Sequence, residues 1–174
     1  MGRLKAEIQQ QQPFNSLEEE AFLNLLRTAS VLGAGVQETL RRVGLSQPQF
    51  NVLRILRGAP EGLSGKEVGK RMVSRVPDVP RLLDRLERDG MIRRVRSESD
   101  RRVVLTFITD AGSHLLDQLE EPIPAVLITR MAHMTREQIE QLIELLELAR
   151  EGAPPLTSDD DLRMPGASDS SAAL

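Results

Sequence analysis

The chain of 174 residues has no cysteine, no tryptophan and no tyrosine, and its aromatics are four phenylalanines. Without thiols there is no disulfide framework, no thiolate metal site and no thiol nucleophile or redox switch. Phe14, Phe22, Phe50 and Phe107 make no stacking platform for single strands or RNA bases, so RNA is not an expected partner. No stretch approaches the roughly 18 apolar residues of a membrane span, and the first dozen residues carry a glutamine run instead of an apolar h-region. The cytoplasm is the expected location, with no membrane partner. His114 and His133 stand alone on predicted helices, and no His-x-x-x-His spacing supports a metal. Ser46 and Ser64 have no nearby histidine with an orienting acid, so a small-hydrolase reading lacks its triad as well as a metal set and a phosphate loop. Neither enzymatic activity nor a cofactor is expected.

What remains is an ordinary globular composition, 40% hydrophobic and 28% charged, of about one domain's length. The net charge of −3 hides an uneven distribution. Residues 41–102 hold 16 Lys and Arg against 8 Asp and Glu, leaving 7 against 18 for the rest of the chain. A basic block between acidic flanks fits a nucleic-acid reader, although chance clustering on a solvated face gives the same count until motif and fold agree with it.

Helix starts are marked by capping boxes, in which a hydroxyl and a Glu or Gln three residues on satisfy orphan backbone donors reciprocally. Ser16/Glu19, Ser46/Gln49, Ser64/Glu67 and Thr135/Gln138 have this form, and the last three are flanked by hydrophobic staples. The first predicted helix covers about 17–43, with Phe22, Leu25, Leu26, Ala29, Leu32, Val36 and Leu40 at helical spacing and Gly44 as its stop. Gly33 and Gly35 within it suggest a bend or a close approach to another backbone. Helices over about 47–57 and 65–72 follow. The next begins near Pro77, whose fixed φ suits the first helical position, and ends at Gly90. Two β-rich runs, 91–96 and 103–108, flank the polar hexapeptide 97–102 and read as a hairpin. Helix, helix, helix, hairpin is the winged helix-turn-helix order. A helix capped by Thr109 then turns Ala111, Leu115, Leu116 and Leu119 inward until Pro122 and Pro124 interrupt it. The helix over about 136–151 carries an apolar stripe, Ile139, Leu142, Ile143, Leu146 and Ala149, that needs a partner. Residues 1–13 and 152–174 read as disordered tails, the second acidic.

The segment from Leu45 to Gly112 resembles the MarR family of bacterial transcription regulators. The residues that carry the resemblance are Leu45-Ser46-Gln47-Pro48-Gln49-Phe50 with Val52-Leu53, the run from Arg81 to Arg94, the wing sequence Asp100-Arg101-Arg102, and Ile108-Thr109-Asp110-Ala111-Gly112. It implies a mostly α fold with a small β-hairpin wing. In that plan 14–44 is a dimerisation helix, 45–110 a winged helix-turn-helix lobe and 111–151 the C-terminal dimerisation helices. It further implies a homodimer on a pseudo-palindromic operator in duplex DNA, a repressor more readily than an activator, released by a small aromatic or phenolic acid. The effector would sit between the dimer base and the lobe, where Leu25, Ala29, Leu32, Phe50 and Leu53 lie, although apolar residues at this spacing are core before they are pocket. One position departs from the family: Pro80 stands where a Thr or Ser is common, so operator sequence does not carry over from relatives. A winged-helix module that binds protein rather than DNA is the alternative that the basic wing argues against.

Arg81, Arg85 and Arg88, four and three apart, share one face of the fourth helix while Leu82, Leu83 and Leu86 turn inward. The planar guanidinium suits guanine O6 and N7 or phosphate oxygens, and Arg81 is the first candidate for a base edge. In the wing, Asp100 and Arg102 are placed to touch, which would aim Arg102 at a narrow minor groove, the role the resemblance assigns to it; the simpler reading of Asp100 is a turn residue. The candidate DNA-binding set is Arg75, Asp78, Arg81, Arg85, Arg94, Asp100, Arg101 and Arg102, with Arg93 and Arg96 as further phosphate contacts.

Overall fold

The computed structural model describes residues 3–97 and 99–151. Its elements in order are α1 (Leu4–Glu7), α2 (Leu17–Arg42), α3 (Gln47–Arg57), β1 (Leu63–Ser64), α4 (Gly65–Arg71), α5 (Val79–Arg88), β2 (Ile92–Arg96), β3 (Val104–Ile108), α6 (Asp110–Asp117), α7 (Pro122–Met131) and α8 (Arg136–Leu148). The helix-rich fold with its small antiparallel sheet is the expected winged plan.

Three of the predicted capping boxes form in full, at Ser46, Ser64 and Thr135. At the fourth, Ser16 Oγ accepts the Glu19 N–H at 3.2 Å, but the Glu19 carboxylate turns to the backbone and side-chain nitrogens of Asn15 instead. Gly44 and Gly90 both close their helices with φ of +74°, a left-handed conformation that costs glycine nothing. Ser46 and Ser64 therefore act as caps.

The sheet runs β1-β3-β2, with Leu63 opposite Thr106 and with Ile92 opposite Ile108. Two-residue β1 was not foreseen, because a strand so short has no period of its own. The hairpin register puts Ile92, Arg94 and Arg96 on the face that continues the lobe's interior, and Arg93 and Val95 on the other. The core is one cluster from Val36 and Leu40 of α2 through Val52, Leu53 and Leu56 of α3, Val68, Leu83, Leu86 and Ile92 to Leu116 and Leu119.

Several expectations change. Segment 1–13, read as a disordered tail, contains α1, whose Leu4 is buried and whose Glu7 approaches Arg27. Its apolar residues are few, but one leucine is enough to dock a single turn on α2. The tail expected over 152–174 lies outside the described residues. α5 starts at Val79, two residues later than Pro77 suggested, because the Asp78 carboxylate accepts the Arg81 N–H at 2.9 Å and so caps there. Pro80 thus occupies the second helical position, where its missing N–H costs no helical bond. Ala111 is exposed, and the inward position is taken by Gly112, over which the Met91 carbonyl passes so closely that a Cβ would overlap it. At Gly35 the close approach is by side chains of α7 and not by another backbone: a Cβ there would overlap the Arg130 guanidinium and lie 2.7 Å from Val126 Cγ1, whereas Gly33 faces open space.

The N-terminal two-thirds of α2 departs most from its sequence pattern. Only Val36 and Leu40 of its stripe are buried, while Phe22 is 58% exposed and Leu25 and Leu26 are also exposed. α8 has no buried residue at all, and Ile143, Leu145 and Leu148 are exposed.

Candidate nucleic-acid interface

The α4–turn–α5 unit is anchored by a hydrogen bond across the turn and by buried side chains. Asn51 of α3 reaches across to accept the Val73 N–H at 2.8 Å, fixing the turn, and Met72 is buried beside it. Leu83 and Leu86 anchor α5 in the core. The opposite side of α5 carries Arg81 and Arg85, both exposed and without an ion-pair partner among the described residues, and Arg88, whose Nε lies 3.6 Å from Asp89. One stripe packs and the other is presented to solvent, as the spacing predicted.

The wing is tied to that helix by Arg94. From β2 its side chain hydrogen-bonds Glu87 through Nε and Nη2, and Nη2 also lies 2.7 Å from Asp84 Oδ1. The Arg94 N–H donates to Glu87 as well, at 3.1 Å. The Glu87 carboxyl is held below its ordinary value first by the Arg94 side-chain hydrogen bond, and the guanidinium is pushed up in return by the same bond. Arg94, expected on the DNA phosphates, is therefore spent on a clamp, which helical spacing concealed because its partners lie on another element. Arg93 is likewise occupied, lying 4.4 Å over the Phe107 ring. Phe107 also fills the space beside Gly62, where no Cβ fits.

At the wing tip the Asp100 carboxylate accepts the backbone N–H of Arg102 at 2.9 Å, and the Asp100 carbonyl accepts the Val103 N–H at 2.9 Å. The turn reading of Asp100 describes this geometry, in place of a contact with the guanidinium: Asp100 shapes the loop and accepts from the Arg102 backbone. Arg101 and Arg102 are exposed and have no ion-pair partner among the described residues, nor does Arg96 behind them. Asp78, the other acidic candidate, is committed to the α5 cap.

Between α4, the start of α5 and β3 lies a cavity of about 890 Å³, walled by Met72, Val76, Val79, Leu83, Val104 and Thr106. Arg75, Asp78 and Arg94 meet around it, so the structure gathers these three candidates at one place and leaves Arg81, Arg85, Arg101 and Arg102 on the outer surface. Lys66 and Lys70 of α4 also line it and are exposed. They were missed by sequence reasoning, although their spacing of four on a short helix between a cap and the turn was the available signal. Of the apolar residues suggested as an effector wall, Leu53 is fully buried core, Phe50 is half-buried with Arg54 over its ring, Leu32 is half-buried, and Leu25 and Ala29 are exposed.

A core-anchored helix with an arginine face, joined by a clamp to a hairpin ending in exposed arginines, defines a winged helix-turn-helix DNA-binding protein. The sequence profile of the MarR family matches residues 45–104. An HTH-type transcriptional regulator of Bacillus subtilis, YkoM, is 32% identical over 143 residues, which is 78% of this chain and 90% of that protein. The crystal structure of a MarR transcription factor from Planctomyces limnophilus is similar at 37% identity, with a TM-score of 0.59 over 78% of this chain and 99% of the other. TtmR, an HTH-type transcriptional regulator of Methylorubrum extorquens, is 34% identical over 105 residues, and the match spans about half of that protein's length, 53%. The chain belongs to the MarR family: it is a DNA-binding transcription regulator and not an enzyme. Among the described residues no helix is long and apolar enough to cross a membrane.

Proposed function

We propose that the chain acts as a homodimeric repressor on a pseudo-palindromic operator, with α5 in the major groove and the wing tip in the flanking minor groove. The observation that carries this reading is the set of unpaired guanidiniums, Arg81 and Arg85 on α5 and Arg101 and Arg102 on the wing, on two elements locked together by Arg94. Arg81 and Arg85 read base edges and adjacent phosphates, Arg102 enters the minor groove, and Arg96 and Arg101 neutralise phosphates. Asp78 and Asp100 act by shaping the backbone beside these arginines.

The exposed apolar residues of α2, α7 and α8, among them Phe22, Leu26, Ile128, Ile143 and Leu145, support a dimer base made from 14–44 and 111–151. Two lobes on one base fit a two-fold operator, and a protein seated across it excludes the transcription machinery. A small aromatic or phenolic acid is proposed as the releasing effector. The 890 Å³ cavity supports that reading, because it is apolar inside, has Lys66 and Lys70 in its lining and lies between the two DNA-contacting elements. Such an effector must favour the spacing of α5 and wing that does not fit DNA, since equal affinity for both forms shifts nothing.

The test is selection of bound duplexes from a random pool, followed by titration of Arg81→Ala and Arg102→Ala. Each is expected to weaken operator binding by about 1–3 kcal/mol, with Arg81→Ala also relaxing the preference at one position per half-site. Wild-type affinity in both variants across a salt series would overturn the assignment.

A further inference from the structure

The first turn of α5 is chemically unlike the usual anion-binding helix start. Backbone N–H groups at a helix N-terminus ordinarily hold a phosphate. Here the cap is the Asp78 carboxylate, which takes the Arg81 N–H at 2.9 Å, and Pro80 has no N–H to offer. A negative charge and a missing donor make this tip a poor phosphate ligand. What it presents instead is the exposed pyrrolidine ring of Pro80, followed by the unpaired guanidinium of Arg81.

Pro80 also has a defined side of the helix. Residues 80, 84 and 87 form one row at helical spacing, and Asp84 and Glu87 are the residues that hold Arg94 of the wing. Pro80 therefore begins the wing-side row, while Arg81 begins the row with Arg85 and Arg88. The ring cannot drift from this place: its φ is locked, and the preceding Val79 packs toward Gly69 of α4, with Cγ2 3.5 Å from where a Cβ on that glycine would stand.

In the major groove only one base carries a hydrocarbon edge, thymine with its 5-methyl group, and apolar side chains recognise it by contact. The residues at the start of a recognition helix are those that reach base edges. We infer that Pro80 is a specificity residue that reads a thymine methyl, on the wing side of the base contacted by Arg81, once in each half-site. The inference rests on the DNA-reading proposed above, and it makes Pro80 a selective contact rather than only a lost hydroxyl.

The experiment uses the full chain and an operator selected from a random duplex pool. Each thymine is replaced singly by uracil, which keeps every hydrogen-bonding atom and deletes only the methyl, and affinities are read by fluorescence anisotropy. One thymine per half-site, on the wing side of the base whose preference Arg81→Ala relaxes, should lose about fourfold in affinity, the equivalent of ~0.8 kcal/mol for one buried methyl-sized group. Pro80→Gly, which leaves no hydrocarbon at this position, should bind thymine and uracil operators equally. Because each protein is compared with itself on two duplexes, a change in its folded fraction does not imitate the effect. An operator on which every thymine tolerates uracil, or on which Pro80→Gly keeps the wild-type difference, overturns the inference and leaves the DNA-reading standing. Failure to select any duplex overturns the DNA-reading and the inference together.

Discussion

Replacing Arg94 with alanine separates two roles that the same residue has in sequence and in structure. As a phosphate contact, its loss would remove one released counterion, and the slope of log K against log salt would become shallower by about 0.9. As a clamp, its loss leaves that slope alone and loosens the wing from α5. Hydrogen bonds to charged groups contribute about 1.5–3 kcal/mol when sheltered, whereas exposed ion pairs contribute at most about 1 kcal/mol. The Arg94 side chain is 30% exposed, Glu87 37% and Asp84 61%, so the Glu87 bond belongs between these limits and the Asp84 pair near the lower one. Together they predict a loss of about 1–2 kcal/mol, or roughly 4 °C in Tm for a chain of this size. Operator affinity should fall with the salt slope unchanged. A double-mutant cycle with Glu87→Gln should recover about 1 kcal/mol of coupling, because without the guanidinium Glu87 keeps only the backbone N–H of residue 94, which the glutamine oxygen can also accept. Calorimetry and salt titration of the four proteins decide the matter. Additive stabilities together with a slope reduced by about one phosphate would refute the clamp and return Arg94 to the DNA.

Three further outcomes follow from the same geometry. The Glu87 carboxyl is depressed by its bond to Arg94, so the clamp's contribution is complete above the ordinary carboxylate value of 4.5 and fades as pH falls below it; wild type and Glu87→Gln should differ in denaturation midpoint at pH 7 and converge toward acid. A difference that instead grows on acidification would contradict the sign. Gly112→Ala forces a Cβ against the Met91 carbonyl and to 2.9 Å from Ile108, and should cost roughly 1–3 kcal/mol in chemical denaturation; an unchanged midpoint would show that α6 can move aside. Leu145→Glu on the bare face of α8 should turn dimers into monomers in light scattering with little loss of helix by circular dichroism, whereas a wild-type chain already monomeric at micromolar concentration would remove the proposed base.

What was legible in the sequence was local. Ser46, Ser64 and Thr135 sit three residues before their Gln or Glu partners, so each cap closes within one turn, and Gly44 and Gly90 mark positions where only a left-handed residue continues the chain. The arginine stripe of α5 and the hairpin strands follow from periods of 3.6 and 2 and needed no long-range information. The start of α5 was misplaced because Pro77 and Asp78 give competing local signals, and the winner depends on where the turn is anchored by Asn51. Tertiary structure alone decided the rest, because it concerns groups distant in sequence. Arg94 looks like every other arginine in the basic block until the hairpin folds back over Asp84 and Glu87. The apolar stripe of α2 looks like core until the described elements pack and leave its N-terminal part exposed. Charge and hydrophobicity are properties of residues, but whether a charge is spent or a hydrophobic face is covered is a property of what arrives beside it.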